Sequence, residues 1–363
     1  MNVINIPVKI PERNITEYQI VIGSGIMDRV YEHLEPARYA IITDADVLSL
    51  YGSRLADQLA SHGIDAELIQ FEPGEKSKTR ATKEMLEDRM FELMFDRSSR
   101  VIALGGGVAG DMAGFTASTY MRGIPVVQIP TTLLAMVDSS IGGKTAVNHP
   151  IGKNLVGTFS QPEKVLIDPE SLKSLSQKDL LNGMAEVIKH GIIRDPSLFE
   201  YLEQNMHDIV SMSPSVSWDT LIETNCRIKA DVVMSDEKES GVRRILNFGH
   251  TAGHAIEILS EGTCTHGEAV SMGMAAESVA ARNLGILAED ECSRIIACIE
   301  TSGLPASFPE YMEIDDIIEK THHDKKTVKG SVSYSVPDRI GSCLHGIEIP
   351  DEDLRKALKE TEK

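Results

Sequence analysis

Short apolar runs alternate with stretches of helical period through the first half of this 363-residue chain, and from about residue 176 helical period takes over. This change constrains the fold more than any other feature. Residues 39–43, 65–71, 100–104 and 126–129 read as buried strands, with 50–62 and 79–96 helical between them. Strands alternating with helices imply βαβ units and a mostly parallel sheet. Farther on, 179–192, 197–209, 216–234, 245–259, 268–284, 289–301 and 353–361 carry the helical period, and 331–336 is the main strand-like exception. The expected architecture is an α/β, Rossmann-like nucleotide-binding domain over 1–175, followed by a mainly α-helical domain over 176–363. Ligands of such open sheets gather at the carboxyl ends of the strands.

The charge balance narrows the partners. There are 36 Lys and Arg against 55 Asp and Glu, a formal charge of −19. That is unsuited to coating nucleic acid or lying on an anionic membrane, so neither is an expected partner. No apolar run reaches the roughly 18 residues of a membrane span. The first residues lack a basic segment followed by an apolar one, so no signal peptide is expected. Cys226, Cys264, Cys292, Cys298 and Cys343 show no CxxC spacing, which makes a reducing cytoplasm the expected location. An anionic substrate would have to be held by cations gathered locally against the overall field.

GGGVAGD at 105–111 follows an expected strand and leads into a helix. The G-x-G-x-x-G spacing lets backbone N–H groups approach a pyrophosphate. No acidic residue stands about 20 positions on to take a ribose; the nearest suitable carboxylate, Asp44, lies upstream. A dinucleotide site is therefore expected without simple Rossmann wiring. GGKT at 142–145 resembles the end of a phosphate loop, but Asp138 occupies the position of its first glycine, so a Walker A reading fails. What remains is a glycine-loosened segment carrying Lys144, Asn148, Lys153 and Asn154, suited to phosphate or carboxylate oxygens.

Two later segments carry the remaining chemistry. Ser176 and Asp179 look like a helix start, after which Asn182, Glu186 and Lys189 share the face opposite Leu180, Met184 and Val187. A solvated polar stripe is the plainer account of that face. If one helix runs through 243–259, then Arg243, Asn247, His250 and His254 form a narrow stripe. His250 and His254 have the spacing at which two imidazoles meet one metal, while Thr251 replaces the glutamate of the zinc-protease motif. With His266 close by, a zinc site is expected, and spacing alone leaves open which of the three histidines bind it.

Taken together, GGGVAGDMAGFTASTYMRGIP, IPTTLLAMVDSSIGGKTAVNHPIGKN, LNGMAEVIKHG, LNFGHTAGHAIE and HGEAV, in that order, resemble the 3-dehydroquinate synthase family nearly end to end. The sugar cyclases that make 2-deoxy-scyllo-inosose and 2-epi-5-epi-valiolone share the scaffold, but VDSSIGGKT looks like the dehydroquinate type. NAD- and metal-dependent alcohol or polyol dehydrogenases pair similar domains without this density of lysine and arginine.

The resemblance implies an N-terminal NAD domain and a C-terminal helical domain holding one divalent metal, zinc or cobalt. Glu186, His250 and His266 would be the metal ligands, with His254 beside the substrate. NAD contacts would come from Asp44, Asp46, Glu75, Lys78, Gly106, Gly107, Val108, Asp111, Thr131, Thr132, Asp138, Ser139, Lys144, Lys153, Asn154, Ser174 and Asn182. The substrate would be a sugar-acid phosphate, 3-deoxy-D-arabino-heptulosonate 7-phosphate. Arg122 from a neighbouring subunit, Asp138, Lys144, Asn154, Lys189, Lys229, Arg243, Asn247, His254, Lys325 and Lys326 would bind it, which implies a homodimer. Lys144, Glu186, Lys189, Lys229, Arg243, Asn247 and His254 would carry the catalysis. Two positions depart from the family pattern: Asp46 takes the place of a more usual Asn, and Ser160 that of an aromatic residue or His.

Overall fold

The computed structural model describes residues 4–10, 16–322 and 332–362. Lys325 and Lys326 lie outside the described residues. Two compact units emerge. The first comprises residues 1–175 together with 218–234, and the second 176–217 together with 235–363. The change of period at 176 thus coincides with one break in the chain, while the helix that begins at Trp218 returns to the first unit instead of continuing the second.

The first unit is built on a seven-stranded sheet. Its strands are β1 (Ile4–Ile10), β2 (Thr16–Ile22), β3 (Tyr39–Asp44), β4 (Ala66–Phe71), β5 (Arg100–Gly105), β6 (Val126–Pro130) and, after the ribbon β7 (Lys144–His149) and β8 (Gly152–Phe159), β9 (Lys164–Ile167). The order is β1-β2-β9-β6-β5-β3-β4, and all neighbours are parallel except β1 with β2. Side chains of successive residues point to opposite faces, and both faces are covered, which explains the unbroken apolar runs. Ala40, Ile42, Val101 and Ala103 pack with Leu86, Met112 and Ala113 on one face. Tyr39, Ile41, Ile102 and Leu104 pack with Ile26, Leu55 and Leu59 on the other. The four expected strands are present. β1 and β2 add a hairpin whose alternation is masked by Pro7, tolerated because β1 is an edge strand.

The second unit is helical, with one hairpin, β10 (Ser333–Arg339) and β11 (Ser342–Glu348). The helix Gln177–Arg194 starts where Ser176 accepts the Asp179 N–H at 3.1 Å, the expected cap. It stops at Asp195, which caps the helix Pro196–Val210 with Pro196 at its first position. At the centre runs the helix His266–Asn283, rich in Ala, Gly, Ser and Met and buried along almost its whole length. It packs against the helices Gln177–Arg194, His250–Leu259, Glu289–Ser302 and Asp351–Thr361.

One expected helix is not continuous. Residues 242–247 form a 3-10 turn, and the helix His250–Leu259 starts afresh after Gly249, whose φ is +76°. Arg243 and Asn247 therefore do not share a helical stripe with His250 and His254. Only glycine fits at the break: its φ is left-handed, and a Cβ there would lie 2.4 Å from Met274 Cγ and 2.8 Å from Val270 O. Among the described residues, no helix is long and apolar enough to cross a membrane.

Candidate active site

In the first unit, β5 ends at Gly105, and Gly106 opens the helix Gly107–Thr119 without a side-chain cap. The leading N–H groups of that helix are therefore not taken by a cap, as a pyrophosphate site requires. Space is the second requirement. A Cβ on Gly106 would sit 3.1 Å from Thr132 Cγ2, and one on Gly107 3.2 Å from Ser139 Oγ. Val108 follows on the same turn, and Thr131 ties β6 to Gly105 by donating its N–H to Gly105 O at 2.9 Å. Asp44 ends β3 beside Gly105 and accepts the Val47 N–H at 2.9 Å. Burial pushes its carboxyl up from the usual value. Asp46 follows on the exposed side of the turn.

A polar network lies nearby. Buried Lys78 pairs with Asp111 and donates to Asn154 Oδ1 at 2.5 Å. Asn148 donates to Glu75 Oε1 at 2.7 Å and accepts the Asn154 N–H at 3.0 Å. Asn154 has a φ of +54°. Burial raises the Asp111 carboxyl, with Lys78 opposing. The segment GGKTAVNHPIGKN, expected as a loosened loop, is mostly the antiparallel ribbon β7–β8, with Lys144 and Lys153 exposed on it. Buried Lys229, from the helix that begins at Trp218, pairs with Asp138. Ser174 shares a hydrogen bond of 2.6 Å with Tyr51. Arg122 is exposed in a turn where Met121, Arg122 and Gly123 all have positive φ.

In the second unit, the polar face of the helix Gln177–Arg194 is not solvated. Glu186 is 0% exposed and Lys189 1%, and the two form an ion pair. Lys189 also donates to Leu246 O at 2.8 Å. Glu186 Oε1 lies 3.5 Å from His250 Nε2 and 3.7 Å from His266 Nε2, too long for hydrogen bonds. Four ligands around a tetrahedral zinc stand about 3.3–3.6 Å apart, given bonds of about 2.0–2.2 Å. The donor atoms of Glu186, His250 and His266 all lie within 4.8 Å of one another. Glu186 Oε1 is buried without a hydrogen bond. His250 Nδ1 stands 3.1 Å from Phe248 O, and His266 Nδ1 3.4 Å from Glu257 Oε2. A carbonyl only accepts, so Nδ1 of His250 carries the proton and Nε2 keeps its lone pair for a metal.

The electrostatics agree. Burial alone would raise the Glu186 carboxyl, but Lys189, His266 and His190 hold it well below the usual range. Burial alone would lower His266, yet Glu186 and Glu257 push it up to about 10. Carboxylates that favour an imidazolium here favour a bound cation equally. The His254 ring centre is 5.3 Å from that of His250 and 6.2 Å from that of His266. His254 forms a second group of possible ligands with Glu257 and His266.

Asn182 accepts the Gly267 N–H at 2.6 Å, at the start of the helix that carries His266. Arg243 is 1% exposed and donates to Glu237 O at 2.5 Å. Asn247 donates to Glu239 Oε1, also at 2.5 Å. Four acidic residues absent from the expected set support it: Asp236, Glu239, Glu257 and Glu277. Asp236 accepts N–H groups from Ser240, Gly241 and Arg243. Glu277 had the clearest signal, a lone carboxylate in the run SMGMAAESVAA. Glu257 likewise stands among apolar neighbours in HAIEIL, whereas Asp236 and Glu239 stand in the polar stretch SDEKES that reads as ordinary surface.

The family models described as 3-dehydroquinate synthase N-terminal and 3-dehydroquinate synthase C-terminal match residues 68–182 and 183–327. A 3-dehydroquinate synthase from Desulforamulus reducens is 44% identical over 94% of this chain and 97% of its own length. One from Synechococcus sp. is 43% identical over 98% of each chain. Among solved structures, a 2-epi-5-epi-valiolone synthase from Streptomyces hygroscopicus with NAD+ and Zn2+ bound superposes with a TM-score of 0.88 at 30% identity, covering 95% of this chain and 97% of that one. An iron-containing alcohol dehydrogenase from Thermotoga maritima shares the fold alone, at a TM-score of 0.67 and 18% identity over 94% of this chain and 97% of that one.

Proposed function

The chain belongs to the 3-dehydroquinate synthase family, and from that premise we propose how its residues divide the work. The enzyme is a carbon–oxygen lyase acting on phosphates. It converts 3-deoxy-D-arabino-heptulosonate 7-phosphate into 3-dehydroquinate and phosphate, a step of the shikimate pathway. The observation that carries this reading is the convergence of Glu186, His250 and His266 around one point in a buried, carboxylate-rich setting.

When bound, NAD supplies a hydride acceptor that later returns the hydride, and a zinc or cobalt ion on Glu186, His250 and His266 supplies a Lewis acid. The uncapped turn at Gly106, Gly107 and Val108 cradles the dinucleotide pyrophosphate, with Thr131, Thr132 and Ser139 lining it. Asp44 and Asp46 serve the adenosine ribose, and Ser174 stands by the adenine. Glu75, Lys78, Asp111, Asp138, Lys153 and Asn182 complete the dinucleotide contacts.

Substrate binding sets two anionic ends against local cations. Lys144, Lys229 and Arg243 neutralise carboxylate and phosphate, while Asn154 and Asn247 orient the oxygens. His254 takes the proton of the hydroxyl that is oxidised. The resulting ketone acidifies the adjacent C–H, the leaving phosphate accepts that proton, and the C–O bond to phosphate breaks. Lys189 holds Glu186 in its ionised form throughout. After the ketone is reduced and the ring opens, Asn247 and Arg243 hold the enolate in position for the aldol closure. Arg122 contributes to a neighbouring subunit's substrate, so the working form is a homodimer, acting in the cytoplasm.

The test is to mix protein, NAD, Co2+ and the heptulosonate phosphate, and follow phosphate and NADH together. Phosphate release without accumulating NADH is expected. Stoichiometric NADH with phosphate retained would overturn the reading in favour of a dehydrogenase.

A further inference from the structure

We propose that Glu277 is a positioning residue that sets the orientation of the His250 imidazole through a single peptide group. Glu277 is 0% exposed and lies on the helix His266–Asn283, three turns beyond His266. Its Oε2 accepts the Gly249 N–H at 2.7 Å, and its Oε1 accepts the Ala252 N–H at 3.0 Å. These are the N-cap and third N–H groups of the helix that starts with His250. In a capping box two side chains share those two groups; here one carboxylate from another helix takes both.

No residue at 249 could do this work. The φ of +76° and the 2.4 Å approach to Met274 Cγ admit only glycine, which has no capping side chain. The helices meet backbone to backbone, and a Cβ on Gly273 would stand 2.0 Å from Gly249 O. The cap must come from across the crossing. Burying a carboxylate in this apolar helix is costly unless it is hydrogen-bonded, and the positive end of the capped helix adds a favourable field.

The peptide between Phe248 and Gly249 links the cap to the ligand. Its N–H donates to Glu277, and its C=O accepts from His250 Nδ1 at 3.1 Å. Both bonds lie on one rigid plane. A rotation of that plane which breaks one breaks the other, so Glu277 fixes the direction in which His250 Nε2 points.

The inference rests on Glu186, His250 and His266 as ligands, and the experiment separates the two. Metal-free wild type, Glu277→Gln and Glu277→Asp are titrated with Co2+ and followed by visible absorption, with melting temperatures measured in parallel. Glu277→Gln sets an NH2 against one of the two N–H donors, and Glu277→Asp keeps the charge but withdraws it by a methylene. Both should bind Co2+ about 10- to 100-fold more weakly, with altered ligand-field bands. A lower melting temperature with wild-type affinity and bands in either folded variant would show a merely structural cap and overturn the proposal. Failure of the wild type to bind Co2+ would overturn the ligand assignment and the proposal with it.

Discussion

Replacing Lys189 by Met removes the cation from a buried pair while keeping most of its volume. In the metal-free protein Glu186 would then be a carboxylate at 0% exposure without its nearest positive charge. Breaking such a pair costs about 3–5 kcal/mol, or about 6–20 °C of melting temperature at roughly 2–4 °C per kcal/mol. With a divalent ion bound, Glu186 keeps a positive partner, and the main remaining loss is the hydrogen bond to Leu246 O, worth about 1 kcal/mol. The penalty should therefore shrink to about 2–4 °C when the site is loaded. The thermodynamic cycle then demands that Lys189→Met bind Co2+ more tightly, by about 30- to 700-fold for a difference of about 2–4 kcal/mol. Calorimetric melting with and without Co2+, alongside a Co2+ titration, reads both quantities. Turnover should fall even as affinity rises. Equal penalties in the two states, with unchanged affinity, would refute the idea that Lys189 stands in for part of the charge the metal supplies.

Further outcomes follow from the same geometry. His250→Ala and His266→Ala should lose bound metal by elemental analysis, whereas His254→Ala should retain it and lose turnover; equal loss in all three would sink the ligand set. Gly106→Val places branches where even a Cβ meets Thr132 at 3.1 Å, so NAD affinity measured by fluorescence should drop at least about tenfold, which is about 1.4 kcal/mol. Burial would raise the Asp236 carboxyl, but N–H groups of Gly241, Ser240 and Arg243 outweigh it and hold it below the usual range. A depressed folded value stabilises above the unfolded pKa of about 3.9, and that stability disappears as pH falls through the folded value. Asp236→Asn should accordingly cost most near neutral pH, and its melting temperature should converge on wild type as pH drops below about 4. A constant gap across that range would count against the loop tie.

Legibility in the sequence tracked how local each cause is. Strands β3, β5 and β6 were readable because a sheet covered on both faces demands unbroken apolar runs such as YAII and VIAL. Ser176 was readable because a cap acts over three residues. By contrast, the solvated stripe assigned to Asn182, Glu186 and Lys189 failed because helical period tells which residues share a face, not what covers it. The break at Gly249 was missed for a related reason: its left-handed φ and the close approach of Met274 and Val270, on another helix, are set by packing that the local sequence does not show. Spacing left the three histidines open, since Glu186 Oε1, which His250 Nε2 and His266 Nε2 approach to 3.5 and 3.7 Å, lies more than sixty positions upstream.

The second unit also resolves a conflict that a metal would otherwise face. His250 and His266 each occupy the first position of a helix, where the helix dipole places roughly half a positive charge. A dication drawn toward two such ends would be repelled by both. Each end is already answered by a carboxylate: Glu277 takes the N–H groups of Gly249 and Ala252, and Glu268 takes that of Thr265 at 2.6 Å. Glu186 and Glu257 then face the imidazoles themselves. Two carboxylates thus offset the helix ends and two more face the imidazoles, so negative charge gathers around these histidines. The proposed catalytic cations Lys189 and Arg243 are each pinned by a carboxylate or a carbonyl in the same unit. Net charge therefore says little about what this enzyme binds, because its working charges are fixed pair by pair.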